Sequence, residues 1–182
     1  LNITNNFGGT NIAWGRTCTV VYVSTVTADG TPGAAEISFD VTTANNMAGF
    51  VIPLNGVSIS NTTHLSFYIK GLTGNEKFIV KFESLFANPV GSEINSSYYI
   101  DLTSEWQKVE IPLTDFSSIL TSTDTTTLKL NFLFGYSLGT PYSGKIYIDE
   151  IKFIVPGVAG TDVRTIDTMD DLVGQLSSWN GV

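Results

Sequence analysis

The feature that most constrains this chain is a repeated alternation of apolar and polar residues. In "EISFDV" (36–41), Ile37 and Phe39 fall on one side of an extended chain, and Ser38 and Asp40 on the other. In "LSFYIKG" (65–71), Leu65, Phe67 and Ile69 oppose Ser66, Tyr68 and Lys70. In "EKFIVKFES" (76–84), Phe78, Val80 and Phe82 oppose Lys77, Ile79 and Lys81. The segments "SYYIDL" (97–102), "QKVEIPL" (107–113), "LKLNFLF" (128–134) and "GKIYIDEIKF" (144–153) continue the period, while "AGFVIPL" (48–54) is mostly apolar. Successive side chains of a strand point to opposite faces, so a period of two with β-branched and aromatic enrichment reads as β-strands. Gly, Asn, Asp, Ser and Pro punctuate the gaps, as turns require. No long helical pattern intervenes. The expected fold is all-β, an antiparallel β-sandwich. Two connections read as longer loops, 86–96 and 117–127, and no internal repeat is evident.

A length of 182 residues suits a single sandwich. Charged residues make up 14% and hydrophobic residues 42%, the balance of a rigid extracellular β protein, so a secreted location is expected. The net charge of −8 argues against nucleic acid and anionic membrane, both of which attract clustered Lys and Arg. The nine basic residues are scattered. No apolar run approaches the roughly 18 residues of a membrane span. With a single cysteine, Cys18, no disulfide within the chain is possible. Cys18 reads as a small buried hydrophobe. As a nucleophile it would need the one histidine, His64, as its base.

The motifs of enzymes are missing. There is no metalloprotease, phosphate-loop, dinucleotide or nucleophile-elbow pattern. Glycoside hydrolysis needs two facing carboxylates. Glu36, Glu83, Glu93, Glu105 and Glu110 fall on different elements, and Glu110 alternates outward. One histidine and one cysteine argue against a zinc site. A binding module is therefore favoured over an enzyme.

The ordered segments "LSFYIKG", "EKFIVKF", "SYYIDLTSEWQKVEIPLTDF", "LKLNFLFG" and "SGKIYIDEIKF" resemble a carbohydrate-binding module of the galactose-binding-like jelly-roll superfamily. The resemblance is strongest to the β-glucan-binding family 11 modules of bacterial cellulases. It covers roughly residues 36–155. It implies non-catalytic binding of a plant or microbial polysaccharide, of the β-glucan or β-mannan type, and tethering to a catalytic or surface-anchoring domain. In such modules aromatic rings stack on pyranose faces while amides and carboxylates bind hydroxyls. Alternation selects candidates for that contact. If Leu130, Phe132 and Phe134 face inward, then Lys129, Asn131 and Leu133 face outward; if Tyr98 and Ile100 face inward, Tyr99 and Asp101 face outward. Tyr136 and Trp14 are flanking aromatics. Trp14, Tyr99, Asn131 and Tyr136 are thus the expected sugar contacts, with core or edge packing as the alternative for each. Trp106 reads as an edge-packing residue, and Tyr68 shares an outward face with Lys70. A structural or adhesive sandwich lacking a sugar site is the rival class.

Residues 1–156 form the expected module, and 157–182 a tail. The tail contains "TIDTMDDLVGQLSSWNG", similar to the first-strand signature of these jelly rolls. Three readings stand: the start of a second module, this module's own first strand in permuted position, or an amphipathic helix with Met169, Leu172, Val173 and Leu176 on one side. Related modules hold a structural Ca²⁺ between a first-strand acid and the Asp of "YIDEI". The resemblance accordingly assigns Asp149 and, in the tail, Asp170 as calcium ligands.

Overall fold

The computed structural model describes residues 3–4, 10–15, 17–28, 30, 33–42, 47–56, 59, 61–84, 92–95, 101–116, 128–135, 143–155, 163–167 and 175–176. Their strands, in chain order, are β1 (Ile3–Thr4), β2 (Thr10–Trp14), β3 (Cys18–Val23), β4 (Ala34–Asp40), β5 (Met47–Pro53), β6 (His64–Gly71), β7 (Ile79–Ser84), β8 (Ser92–Asn95), β9 (Gln107–Pro112), β10 (Leu128–Gly135), β11 (Ser143–Ile154), β12 (Val163–Asp167) and β13 (Gln175–Leu176). The helical content among the described residues is one 3₁₀ turn, Leu113–Asp115.

The strands form two antiparallel sheets. The front sheet is six-stranded, in the order β1-β2-β5-β10-β7-β8; the back sheet is seven-stranded, β13-β3-β4-β11-β6-β9, with β12 also paired to β11. The alternation seen in the sequence decides which side of each strand is buried. Ile37 and Phe39 of β4, Leu65, Phe67 and Ile69 of β6, and Ile146 and Ile148 of β11 meet Phe50 and Ile52 of β5, Val80 and Phe82 of β7, and Leu130, Phe132 and Phe134 of β10 in one core. Phe132 is central to it. Its ring lies 5.2 Å from that of Phe67 in an edge-on arrangement, 6.1 Å from Phe78 and 6.5 Å from Phe50, so it joins both sheets. Phe39 stacks on Phe134 at 4.1 Å, again across the sandwich.

Three local features depart from the sequence reading. Ser92–Asn95 forms β8, paired with β7, inside the segment expected to be a loop. Its polar composition hid it, because an edge strand needs little apolar patterning. In β11 the inward phase slips: Ile146 and Ile148 are followed by Ile151 and Phe153, and the register shifts between Asp149 and Lys152. Glu150 absorbs the extra residue with φ 53°, the left-handed conformation that one type of β-bulge uses. The helical reading of the tail also fails at its end, since Gln175 and Leu176 pair with Val21 and Val20 of β3. Backbone pairing with an uncovered edge strand prevails there over helical propensity. Earlier in the tail, Val163, Arg164, Thr165 and Asp167 pair with Ile154, Phe153, Lys152 and Ile151.

Candidate functional site

The front sheet's outward face is assembled from the residues that alternate with the core. On β5 these are Met47, Gly49, Val51 and Pro53; on β10, Lys129, Asn131 and Leu133; on β7, Ile79, Lys81 and Glu83. On β2, Ala13 is in the core and Ile12 is turned away from it. The register aligns Ile12, Val51, Asn131 and Lys81 across four strands. The next row joins Gly49, Leu133 and Ile79, and the one beyond joins Pro53, Lys129 and Glu83. The rim is exposed, with Ile12 at 39% and Met47 at 48%. The centre is not. Val51 and Leu133 are each 7% exposed and Asn131 is fully buried, although none of the three belongs to the core cluster. Lys81 Nζ lies 3.5 Å from Glu83 Oε2. Neither Asn131 Nδ2 nor Asn131 Oδ1 has a hydrogen-bond partner.

The expected contacts distribute as follows. Asn131 is on the front face, as alternation predicts, but beneath its surface. The backbone of Trp14 ends β2 opposite Gly49, adjoining the row of Leu133 and Ile79. Tyr99 and Tyr136 lie outside the described residues, as does Asp170. Gly15 follows Trp14 with φ 96°, and a Cβ there would come within 2.5 Å of the Met47 carbonyl oxygen. Only glycine lets β2 leave the face so close to β5. Sequence reasoning did not single out Ile12, Val51 or Lys81. Each was legible as an outward position once its strand was paired.

The back sheet's outward face is different. Lys70 of β6 is registered opposite Tyr147 of β11, and its ammonium lies 5.0 Å from the Tyr147 ring and 5.3 Å from that of Trp106. Trp106 itself is half-buried, just before β9. Glu36 of β4 is opposite Tyr147 and forms an ion pair of 2.5 Å with Lys145. Burial raises the Tyr147 pKa above its usual value, and the hydrogen bond its hydroxyl donates to Glu36 adds to the shift. Lys108 pairs with Glu110 at 2.6 Å, and that contact raises the lysine's pKa. Glu110 is exposed, as expected.

Asp149 is fully buried just before the bulge, and its Oδ2 accepts the Ala28 N–H at 3.0 Å. Neighbouring Glu150 is 6% exposed and is ion-paired to Lys152. The tail strand sets Asp167 opposite Ile151, beside this bulge. Among the described residues no group of three or more His, Cys, Asp or Glu side chains converges as a metal site. A buried carboxylate suits a hard, oxygen-seeking cation such as Ca²⁺, which takes six to eight oxygens. Asp149 offers a carboxylate of that kind at the bulge. Cys18 is buried with its Sγ 3.4 Å from the Gly49 carbonyl oxygen, opposite Phe39 at one end of the back sheet. His64 is opposite Ile154 at the other end, so the two form no nucleophile and base pair.

Solved structures share this fold. A family 30 carbohydrate-binding module of a cellulosomal cellulase of Clostridium thermocellum superposes with a TM-score of 0.64 at 21% identity, covering 81% of this chain and 93% of its own. A family 11 module from Clostridium thermocellum, in complex with a β-1,3-1,4-mixed-linked tetrasaccharide, superposes at 0.59 with 19% identity, covering 80% of this chain and 87% of its own. No curated protein matches. The family model of carbohydrate binding domain 30 matches residues 4–155, spanning the strands from β1 to β11, and the chain belongs to that family of carbohydrate-binding domains.

Proposed function

We propose that this chain binds a plant or microbial polysaccharide of the β-glucan or β-mannan type on the outward face of the front sheet. It performs no chemistry of its own. It works outside the cell and keeps an attached catalytic or surface-anchoring domain close to substrate, raising that domain's effective concentration there. The mixed-linked tetrasaccharide held by the family 11 module supports the glucan class, and the cellulosomal cellulase that carries the family 30 module supports the tethered setting.

One observation carries the reading. Asn131 is a buried amide with neither polar atom hydrogen-bonded, on the side of the sheet turned away from the core. An orphaned buried group costs about 1–3 kcal/mol. A sugar hydroxyl both donates and accepts, so hydroxyls reaching Asn131 recover that cost. Because Asn131 has no exposed surface, side chains at the face must part before it is reached. Ile12 offers exposed apolar surface to the C–H faces of pyranose rings, and Val51 and Leu133 add to it once that cover has parted. Trp14, Tyr99 and Tyr136 complete the reading as stacking residues.

The reading also includes a structural Ca²⁺ held by Asp149 and Asp170, which would brace the bulge of β11 against the tail. The pairing of Val163–Asp167 with β11 supports the tail as this module's own permuted strand rather than the opening of a second module.

Affinity electrophoresis tests the proposal, with hydroxyethyl cellulose, mixed-linkage β-glucan, mannan and xylan in the gel, with and without EDTA. Retardation by glucan or mannan is expected, weakened by Trp14→Ala. No retardation by any of the four would overturn the reading and leave a structural or adhesive sandwich in its place. EDTA is expected to lower the thermal unfolding midpoint. An unchanged midpoint would remove the calcium.

A further inference from the structure

We propose a second binding site on the outward face of the back sheet, built from Tyr68, Lys70, Trp106 and Tyr147, that takes a polysaccharide carrying carboxylate groups, a uronic-acid-containing chain. It is independent of the front face and of the sugar assigned there.

The first argument is where the rings are. Tyr22 and every described phenylalanine are buried. The other aromatic side chains described, Tyr68, Trp106 and Tyr147, are all partly exposed, and they gather around Lys70. An exposed ring offers a flat apolar surface with a polar tip, the form that stacks on a pyranose. Here three such rings share one strip of sheet.

The second argument is charge. Lys145 is matched by Glu36 at 2.5 Å and Lys108 by Glu110 at 2.6 Å. Lys70 has no carboxylate partner among the described residues, and its charge is met only by the two rings. Of these three ammonium groups Lys70 alone is left without a carboxylate among the described residues, in a chain of net charge −8. A cation held between rings is fixed in position and partly stripped of water, yet its N–H donors stay available. A carboxylate meeting it forms a charge-assisted hydrogen bond. Tyr68 lies two residues along β6, about 7 Å away at strand spacing. A pyranose resting on Tyr68 can therefore present its carboxylate to Lys70, while Lys108, registered opposite Tyr68, stands on the other side. The chain's overall negative charge repels a polyanion, so retention of one has to come from a local site.

The test is affinity electrophoresis of the full chain in polygalacturonate and in glucuronoxylan, at low and high salt, beside mixed-linkage β-glucan. Retardation by at least one acidic polymer at low salt is expected, largely abolished at high salt. Lys70→Met keeps most of the stem and removes the charge; it should weaken that retardation about tenfold, the lower end of what a hydrogen bond to a charged group contributes. Lys70→Arg should retain it. Tyr68→Ala should weaken it without affecting retardation by the neutral glucan. Unfolding midpoints of all variants are measured alongside, and the Arg variant shows whether position 70 tolerates change. Lack of retardation by both acidic polymers, or retardation that Lys70→Met leaves intact, overturns the site. Loss of neutral-glucan retardation in the unaltered chain overturns the front-face reading alone.

Discussion

On the back sheet, Lys70 lies between Trp106 and Tyr147, Tyr147 donates to Glu36, and Glu36 pairs with Lys145. On the front sheet, Asn131 is buried and neither of its amide atoms is bonded. Both faces are the outward half of the same alternation, built on a shared core. One meets most of its polar groups internally and presents the Lys70 ammonium against two rings. The other retains an unmet need for a donor and an acceptor below its surface. The difference teaches what each can recognise. The back face offers rings and a charge to a ligand arriving from solvent, whereas the front face offers a polar centre that a ligand must uncover. Binding at the back should be fast and salt-sensitive; binding at the front should be insensitive to salt and depend on rearrangement.

The comparison is broken most severely from inside. Phe132 spans the core between the sheets, so Phe132→Ala should cost about 3–5 kcal/mol and loosen both faces together. Chemical denaturation measures the cost. Loss of binding at only one face would mean that the two do not share their support. A smaller effect is expected at Gly71. Glu76 is 6% exposed; its Oε1 accepts from Thr73 N–H and Oγ1–H, each at 2.9 Å, while its Oε2 is another buried atom lacking a partner. A Cβ on residue 71 would collide with Oε2 and come within 2.8 Å of the carboxyl carbon. Gly71→Ala should therefore cost about 1–3 kcal/mol, as overpacking does, and Glu76→Ala should relieve part of it. Glu76 also sharpens the reading of Asn131. Its unpaired oxygen lies against the backbone of Gly71 in β6, whereas Asn131 lies on the outward side of a sheet.

Asn131→Leu tests the front face most directly. Removing an orphaned buried amide should stabilise the unliganded protein by about 1–2 kcal/mol. At this chain length that is about 3 °C in the unfolding midpoint per kcal/mol. The same substitution should abolish retardation by neutral polysaccharide. A variant that is less stable, or that binds as before, would make Asn131 an ordinary packing residue. Gain of stability with loss of function is the signature of a group kept for its ligand.

Much of the fold was legible because a strand's period fixes which side is buried. Ile37, Phe39, Leu65, Phe67, Ile69, Leu130, Phe132 and Phe134 are all in the core as alternation assigns them. Even the β11 bulge left a trace, in the spacing of Ile146, Ile148, Ile151 and Phe153. Its cause was not legible, since φ 53° at Glu150 arises from pairing with β6 on one side and β12 on the other. The site was half legible. Alternation gives the face on which Asn131 lies but not what covers it, because cover is a property of strands brought together from distant parts of the chain. The clamp around Lys70 was hidden for the same reason. Tyr68 and Lys70 could be seen to share a face, but Tyr147 and Trp106 reach them only through the β11 and β9 pairings.

The smallest effect concerns pH at the back face. Burial, and then the hydrogen bond to Glu36, raise the Tyr147 pKa above its usual value of 10.0. The folded chain thus holds this proton more tightly than the unfolded chain does. The stabilising contribution is fully present below pH 10 and is lost as pH rises through the higher folded-state pKa. Tyr147→Phe removes both the proton and its pH dependence, so the variant's alkaline unfolding curve should be flatter than that of the unaltered chain. Glu36→Gln keeps the ring buried but removes the charged acceptor, and should lower the Tyr147 pKa part of the way, read from the ultraviolet difference spectrum of the tyrosinate. An unchanged spectrum would leave burial as the sole cause. Tyr147 lies on the back face, opposite Lys70, so alkaline pH should weaken binding there before it affects the front.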